Sequence, residues 1–148
     1  MGVIVSNRSE SRVQFVATAE ELLKYTIHKC LLLPKRLTFF VSSKVAGVVQ
    51  ELFRRVIRIR DLYEEKYLEE RIKLCKECIA DLNFLSSELD IIKLYTGEKI
   101  PEFNLNGKNK NHINMCQFAT WSRLIDTEIK LIKGLIEKDS KRLAEYCE

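Results

Sequence analysis

The chain is poor in residues that interrupt helices. Only five Gly and two Pro stand among its 148 residues, which leaves little to break long helical segments. No stretch approaches the roughly 18 uncharged apolar residues of a membrane span, so no membrane association is expected. The short apolar run Val3 to Val5 has no cationic region before it, so no signal peptide is expected. The five cysteines, Cys30, Cys75, Cys78, Cys116 and Cys147, are odd in number and scattered. They make a poor disulfide framework and fit reduced thiols in a cytoplasmic protein. Glycine-rich phosphate cradles and nucleophile elbows are lacking. There are two histidines, His28 and His112, and neither has a nucleophile or carboxylate partner nearby in sequence. Cys75-x-x-Cys78 is half of a zinc site, and no second CxxC or HxxxH completes it. On a helix these two thiols fall on and beside an apolar stripe, where a core cysteine is the more common outcome. The expectation is therefore a protein that is not an enzyme, with no catalytic residue, metal or cofactor.

What is present is helical patterning. The residues are 46% hydrophobic and 31% charged, and the length suits a single domain over 1–148. Residues 1–12 and 140–148 are polar or charged and are expected to fray. Val16, Ala19, Leu22, Leu23, Ile27, Cys30 and Leu31 recur at three and four residues, the face of a first amphipathic helix. Leu33-Pro34 should end or bend it. A second helix is expected from Pro34, a residue suited to a first turn, with the stripe Leu37, Val41, Val45, Val48, Val49, Leu52, Val56 and Ile59. The pattern breaks at Asp61-Leu62-Tyr63-Glu64. Without that break a helix to Tyr95 would run roughly 90 Å at about 1.5 Å per residue. A third helix carries Leu68, Ile72, Cys75, Ile79, Leu82, Leu85, Leu89, Ile92 and Tyr95, and stops at Thr96-Gly97. Residues 97–115, rich in Asn, read as a long loop. A fourth helix carries Phe118, Trp121, Leu124, Ile125, Glu128, Leu131, Ile132 and Leu135. It starts near Met115, or later with Thr120 as its cap. Four such helices with short early links predict an all-α, antiparallel up-down four-helix bundle.

The net charge of +4 conceals a strong asymmetry. From Pro34 to Arg60, seven cations (Lys35, Arg36, Lys44, Arg54, Arg55, Arg58 and Arg60) face a single anion, Glu51, a net of +6. From Asp61 to Thr96, nine carboxylates outnumber five cations, a net of −4. At α-helical spacing Arg36, Lys44, Arg54, Arg55 and Arg58 share roughly one third of the second helix's circumference. An exposed guanidinium row can track phosphates. The alternative is that the arginines pair with the acidic helix beside them. Like charges one turn apart at Arg54 and Arg58 make full neutralisation harder. The candidate nucleic-acid-binding residues are Lys35, Arg36, Lys44, Arg54, Arg55 and Arg58. Glu128 sits on the fourth helix's apolar face. A buried carboxylate there needs a partner from another helix or another subunit.

Two stretches carry a family likeness. One is Leu33-Pro34-Lys35-Arg36-Leu37-Thr38-Phe39, followed by Val48-Val49-Gln50-Glu51-Leu52 and Val56-Ile57-Arg58. The other is Trp121-Ser122-x-Leu124-Ile125-x-x-Glu128-x-x-Leu131-Ile132-x-Gly134-x-Ile136, running on to Asp139. They resemble the Avd-like four-helix bundle proteins, the accessory variability determinants of diversity-generating retroelements. These are related to the four-helix proteins encoded in intervening sequences of bacterial 23S rRNA genes. The likeness spans roughly residues 16 to 140. It rests on helix pattern and short motifs, of which the Pro-Lys-Arg helix start and the Trp…Glu helix are the sharper. It implies a cytoplasmic homopentamer that binds a reverse transcriptase and its template RNA, or DNA, during mutagenic retrohoming, with no catalytic residues. The Asn-rich loop and the N-terminal overhang depart from the family pattern. The intervening-sequence relatives imply the alternative, a protein-interaction bundle with no specific nucleic-acid role.

Overall fold

The computed structural model describes residues 2–33, 35–96, 113 and 115–147, with side chains described from residue 14 onward except at 36, 38, 95, 96 and 115. The four helices are α1 (Gly2–Leu32), α2 (Ser43–Asp61), α3 (Leu68–Thr96) and α4 (Met115–Tyr146). A 3-10 turn (Lys35–Leu37) and a π-helical turn (Thr38–Ser42) lead into α2, and a second 3-10 turn (Glu65–Tyr67) leads into α3. No strand occurs among the described residues.

Helix packing runs in a ring, each helix against its chain neighbours and α4 against α1. Specific contacts fix the directions. Arg55 meets Asp81 while Arg58 meets Glu70. Arg71 meets Asp139 while Lys93 lies over Phe118. As residue numbers rise on one helix they fall on its partner, so α2, α3 and α4 alternate in direction. This is the expected all-α up-down bundle.

The sequence stripes of α2, α3 and α4 form the core. Val45, Val49, Leu52, Val56 and Ile59 of α2 are buried, as are Leu82, Leu85, Leu89 and Ile92 of α3 and Trp121, Ile125 and Ile132 of α4. The first helix is rotated relative to expectation. Its buried line is Phe15, Ala19, Leu22, Thr26, Lys29 and Leu33, whereas Leu31 is exposed. Two polar residues hold core positions because each has a partner there. Thr26 Oγ1 accepts the Trp121 indole N–H at 2.9 Å. The Lys29 ammonium lies 4.9 Å above the Tyr25 ring, a cation–π contact.

The second helix was expected to start at Pro34, but α-helical structure begins nine residues later, at Ser43. Leu37, Val41, Val45 and Val49 are all buried and are spaced strictly by four. In an unbroken α-helix of 3.6 residues per turn, that spacing drifts steadily off the core face. A wider π turn absorbs the drift. Arg36 falls in the 3-10 turn rather than in α2, and its side chain lies outside the described residues.

The helical spans start at Gly2 and run to Tyr146, across the terminal segments expected to fray. α4 starts at Met115, and the Thr120 hydroxyl donates to the Cys116 carbonyl at 3.0 Å rather than capping the helix. Asp139 is buried and anchors α4. Its carboxylate accepts Arg71 Nε at 2.9 Å, and Arg71 Nη1 donates to the carbonyls of Ile59 (3.0 Å) and Leu62 (3.1 Å). One guanidinium thus satisfies the open carbonyls at the C-terminus of α2 and ties that end to α3 and α4. The Asn-rich loop and His112 lie outside the described residues. Ile113, at the loop's end, is buried in the core.

Candidate nucleic-acid interface

α2 and its two lead-in turns carry the basic segment, and the bundle sorts its cations into two groups. Arg55 is half-buried and pairs with Asp81 and, at 3.5 Å, with Glu77 of α3. Arg58 pairs with Glu70 of α3. The acidic helix therefore neutralises the flank of α2 that faces it. The Asp81 carboxyl is still pushed above its ordinary value, because burial outweighs the Arg55 guanidinium beside it. The Arg58 pair is exposed, and such pairs contribute about 0–1 kcal/mol, so phosphate can compete for it.

The second group is exposed and makes no ion pair to α3 among the described residues. Lys35 and Lys44 are exposed, and no ion pair to either falls among the described residues. The Arg54 side chain is 82% exposed, and its nearest carboxylate is Glu51 on the same helix at 3.7 Å. Between the two lysines the π turn displays Phe39 (83% exposed) and Phe40 (73% exposed). The Ser43 hydroxyl reaches back to the Phe39 carbonyl at 3.5 Å. Two adjacent aromatic rings held outward between cations are the groups that single-stranded nucleic acid engages, through stacked bases and paired phosphates. The residue-by-residue charge count missed the rings. The signal was present, since neither Phe falls on the Leu37–Val41–Val45 line.

Of the six candidate residues, Lys35, Lys44 and Arg54 are exposed and unpaired with α3 among the described residues. Arg55 and Arg58 are engaged with α3, and the Arg36 side chain is not described. The two thiols of the Cys-x-x-Cys pair lie in the core. Cys75 and Cys78 are fully buried, and burial pushes both thiols up, Cys75 to about 12. Protonated thiols pack as small apolar groups. His28 is exposed on α1. Among the described residues no group of His, Cys, Asp or Glu is placed to hold a metal ion, and no helix is long and apolar enough to cross a membrane.

Glu128 corrects a sequence expectation. Its side chain is fully buried inside this bundle, so another subunit cannot reach it. Neither carboxyl oxygen has a hydrogen-bond partner among the described residues. Burial pushes its pKa to about 8, so the group is mostly neutral at pH 7.

Compared with family models, curated proteins and solved structures, the chain matches none.

Proposed function

We propose that this chain is a noncatalytic accessory subunit that binds single-stranded nucleic acid. We further propose, from its resemblance to the Avd-like proteins, that it acts beside a reverse transcriptase and template RNA of a diversity-generating retroelement. The observation that carries the nucleic-acid reading is the outward pair Phe39 and Phe40 flanked by Lys35 and Lys44, with Arg54 further along the same helix. Rings stack on bases whatever their sequence, and cations follow the backbone, so the surface suits a strand bound with little sequence preference. The reverse transcriptase partner and a pentameric assembly rest on the family resemblance alone.

Titration of labelled single-stranded RNA and DNA between about 50 and 200 mM salt tests the reading. The logarithm of affinity should fall linearly with the logarithm of salt. Absence of binding at the lowest salt, or affinity indifferent to salt, contradicts it. Light scattering reports the assembly, and co-purification with the reverse transcriptase reports the partner.

A second reading is a protein-interaction bundle of the ribosomal intervening-sequence type. It is favoured by the pairing of Arg55 and Arg58 with α3, which reduces the cations open to phosphate. On that reading, charge reversal at Arg54 leaves nucleic-acid affinity unchanged, and substitution of Phe39 and Phe40 weakens assembly.

A further inference from the structure

At the end of α2 remote from Phe39 and Phe40, the bundle holds a cavity of about 250 Å³ lined by Phe15, Arg60, Tyr63, Arg71, Leu135 and Arg142. All four helices and the α2–α3 link contribute to it. Three guanidiniums converge there. Asp139 accepts Arg71 Nε at 2.9 Å and lies 3.7 Å from Arg142 Nη1, while Asp61 accepts Arg60 Nε at 3.2 Å. Among the described residues, two carboxylates against three guanidiniums leave a surplus positive charge.

The donors are also in surplus. Each arginine offers five N–H groups. No acceptor for Arg71 Nη2, or for either terminal nitrogen of Arg60, falls among the described residues. Arg71 is buried and held by three hydrogen bonds, so it is a fixed donor. Arg60 and Arg142 are partly exposed; each has one nitrogen on a carboxylate and keeps further N–H groups to offer an anion. Planar forks of this kind match a phosphate through paired donors.

The cavity also carries a ring. Tyr63 is 66% exposed in the α2–α3 link, whereas Phe15 is buried. Whole small-molecule sites occupy about 300–1,000 Å³, so this open cavity suits a small ligand whose phosphate enters it and whose sugar and base reach out along the exposed Tyr63.

The geometry points to a binding site for a nucleoside monophosphate unit, its phosphate on Arg60 and Arg142 and its base on Tyr63. The unit has two possible sources, a free nucleotide or the phosphorylated end of a strand. Only the strand-end source rests on the nucleic-acid reading above.

The test compares three probes on the full chain: AMP, a short RNA with a 5′-phosphate, and the same RNA with a 5′-hydroxyl. Each is titrated against the wild type, Arg142→Gln, Arg60→Gln, Tyr63→Ala and the ridge variant Lys44→Glu/Arg54→Glu. Circular dichroism checks folding, and Arg71 is left intact because it anchors α2. For a strand-end site the 5′-phosphate tightens binding about tenfold, which equals about 1.4 kcal/mol, and Arg142→Gln and Arg60→Gln abolish that gain. For a free-nucleotide site AMP binds, and the same two variants weaken it about tenfold. No binding of AMP together with equal affinity for the two RNAs overturns the pocket. If those RNAs still bind and the ridge variant weakens them, the nucleic-acid reading survives that loss. AMP bound in a pocket-dependent way with neither RNA bound sinks the nucleic-acid reading and keeps the pocket. Inorganic phosphate competing as well as AMP, with Tyr63→Ala silent, overturns the assignment of the ring.

Discussion

The two ends of the bundle handle covered cations in opposite ways. At the end where α1 closes and α4 opens, Lys29 and Lys93 lie over the rings of Tyr25 and Phe118, 4.9 and 5.6 Å from their centroids. Tyr25, Phe118 and Trp121 pack together, with Phe118 and Trp121 stacked at 6.4 Å. The polar edges are tied inward, Trp121 to Thr26 and the Tyr25 hydroxyl to the Gln117 carbonyl at 2.9 Å. At the other end Arg71 is answered by Asp139 and two carbonyls, and Arg60, Arg142 and Tyr63 surround an open cavity. The aromatic end leaves little for a ligand to gain. The arginine end holds donors in excess, which is how a fold keeps both a firm anchor and a chemically receptive surface.

That contrast can be broken at either end. Trp121→Ala should cost the most, about 3–5 kcal/mol of unfolding free energy, because it empties the largest buried side chain and strands Thr26. Chemical denaturation measures it, and a loss below about 1 kcal/mol would remove the Trp from its central place in the core. Arg71→Met leaves buried Asp139 with only the Arg142 guanidinium, 3.7 Å away, and should cost about 3–4 kcal/mol. The double variant Arg71→Met/Asp139→Leu should recover much of the loss. Equal costs for single and double variants would mean that the carbonyl caps, not the ion pair, hold this end.

Between the two ends lies Glu128, a polar group that neither strategy satisfies. Its folded pKa, about 8, stands above the ordinary 4.5. The folded state therefore holds a proton that the unfolded state has released between those two values. Stability falls as pH rises from about 4.5 towards 8 and levels off above, by linkage. Glu128→Met should flatten that slope and stabilise the chain by on the order of 3 kcal/mol at pH 7. Thermal melts across pH 4 to 9 give the comparison, and parallel curves for the two proteins would show that Glu128 has a partner. The smallest effect belongs to Tyr25→Phe, which removes one partly buried hydrogen bond and should cost about 1 kcal/mol.

Much of this was legible in the sequence. Apolar spacing located α2, α3 and α4, the break after Asp61, and the burial of Glu128 and the paired cysteines. The face of α1 was misplaced because Thr26 and Lys29 occupy core positions on the strength of partners on other residues, Trp121 and Tyr25, which a hydrophobicity stripe does not register. The charged end was half visible. Arg71 stands between Leu68 and Cys75 on the α3 stripe, and Asp139 continues the α4 line from Leu135. Opposite charges on the inner faces of adjacent antiparallel helices announce a buried pair. What spacing alone could not supply was the π turn itself, because it changes pitch in the middle of the basic segment.

The central claim is that the outward cations of the α2 segment bind nucleic acid, whereas those facing α3 serve the fold. It is tested most directly by measuring the salt dependence of single-stranded RNA binding for the wild type, Lys44→Glu/Arg54→Glu and Arg55→Gln. Each phosphate contact contributes about 0.7 to the log–log slope for a single strand. The double reversal should flatten the slope by about 1.4, while Arg55→Gln should leave the slope unchanged and lower stability. A slope that responds to Arg55→Gln and not to the Lys44/Arg54 reversal would contradict the account.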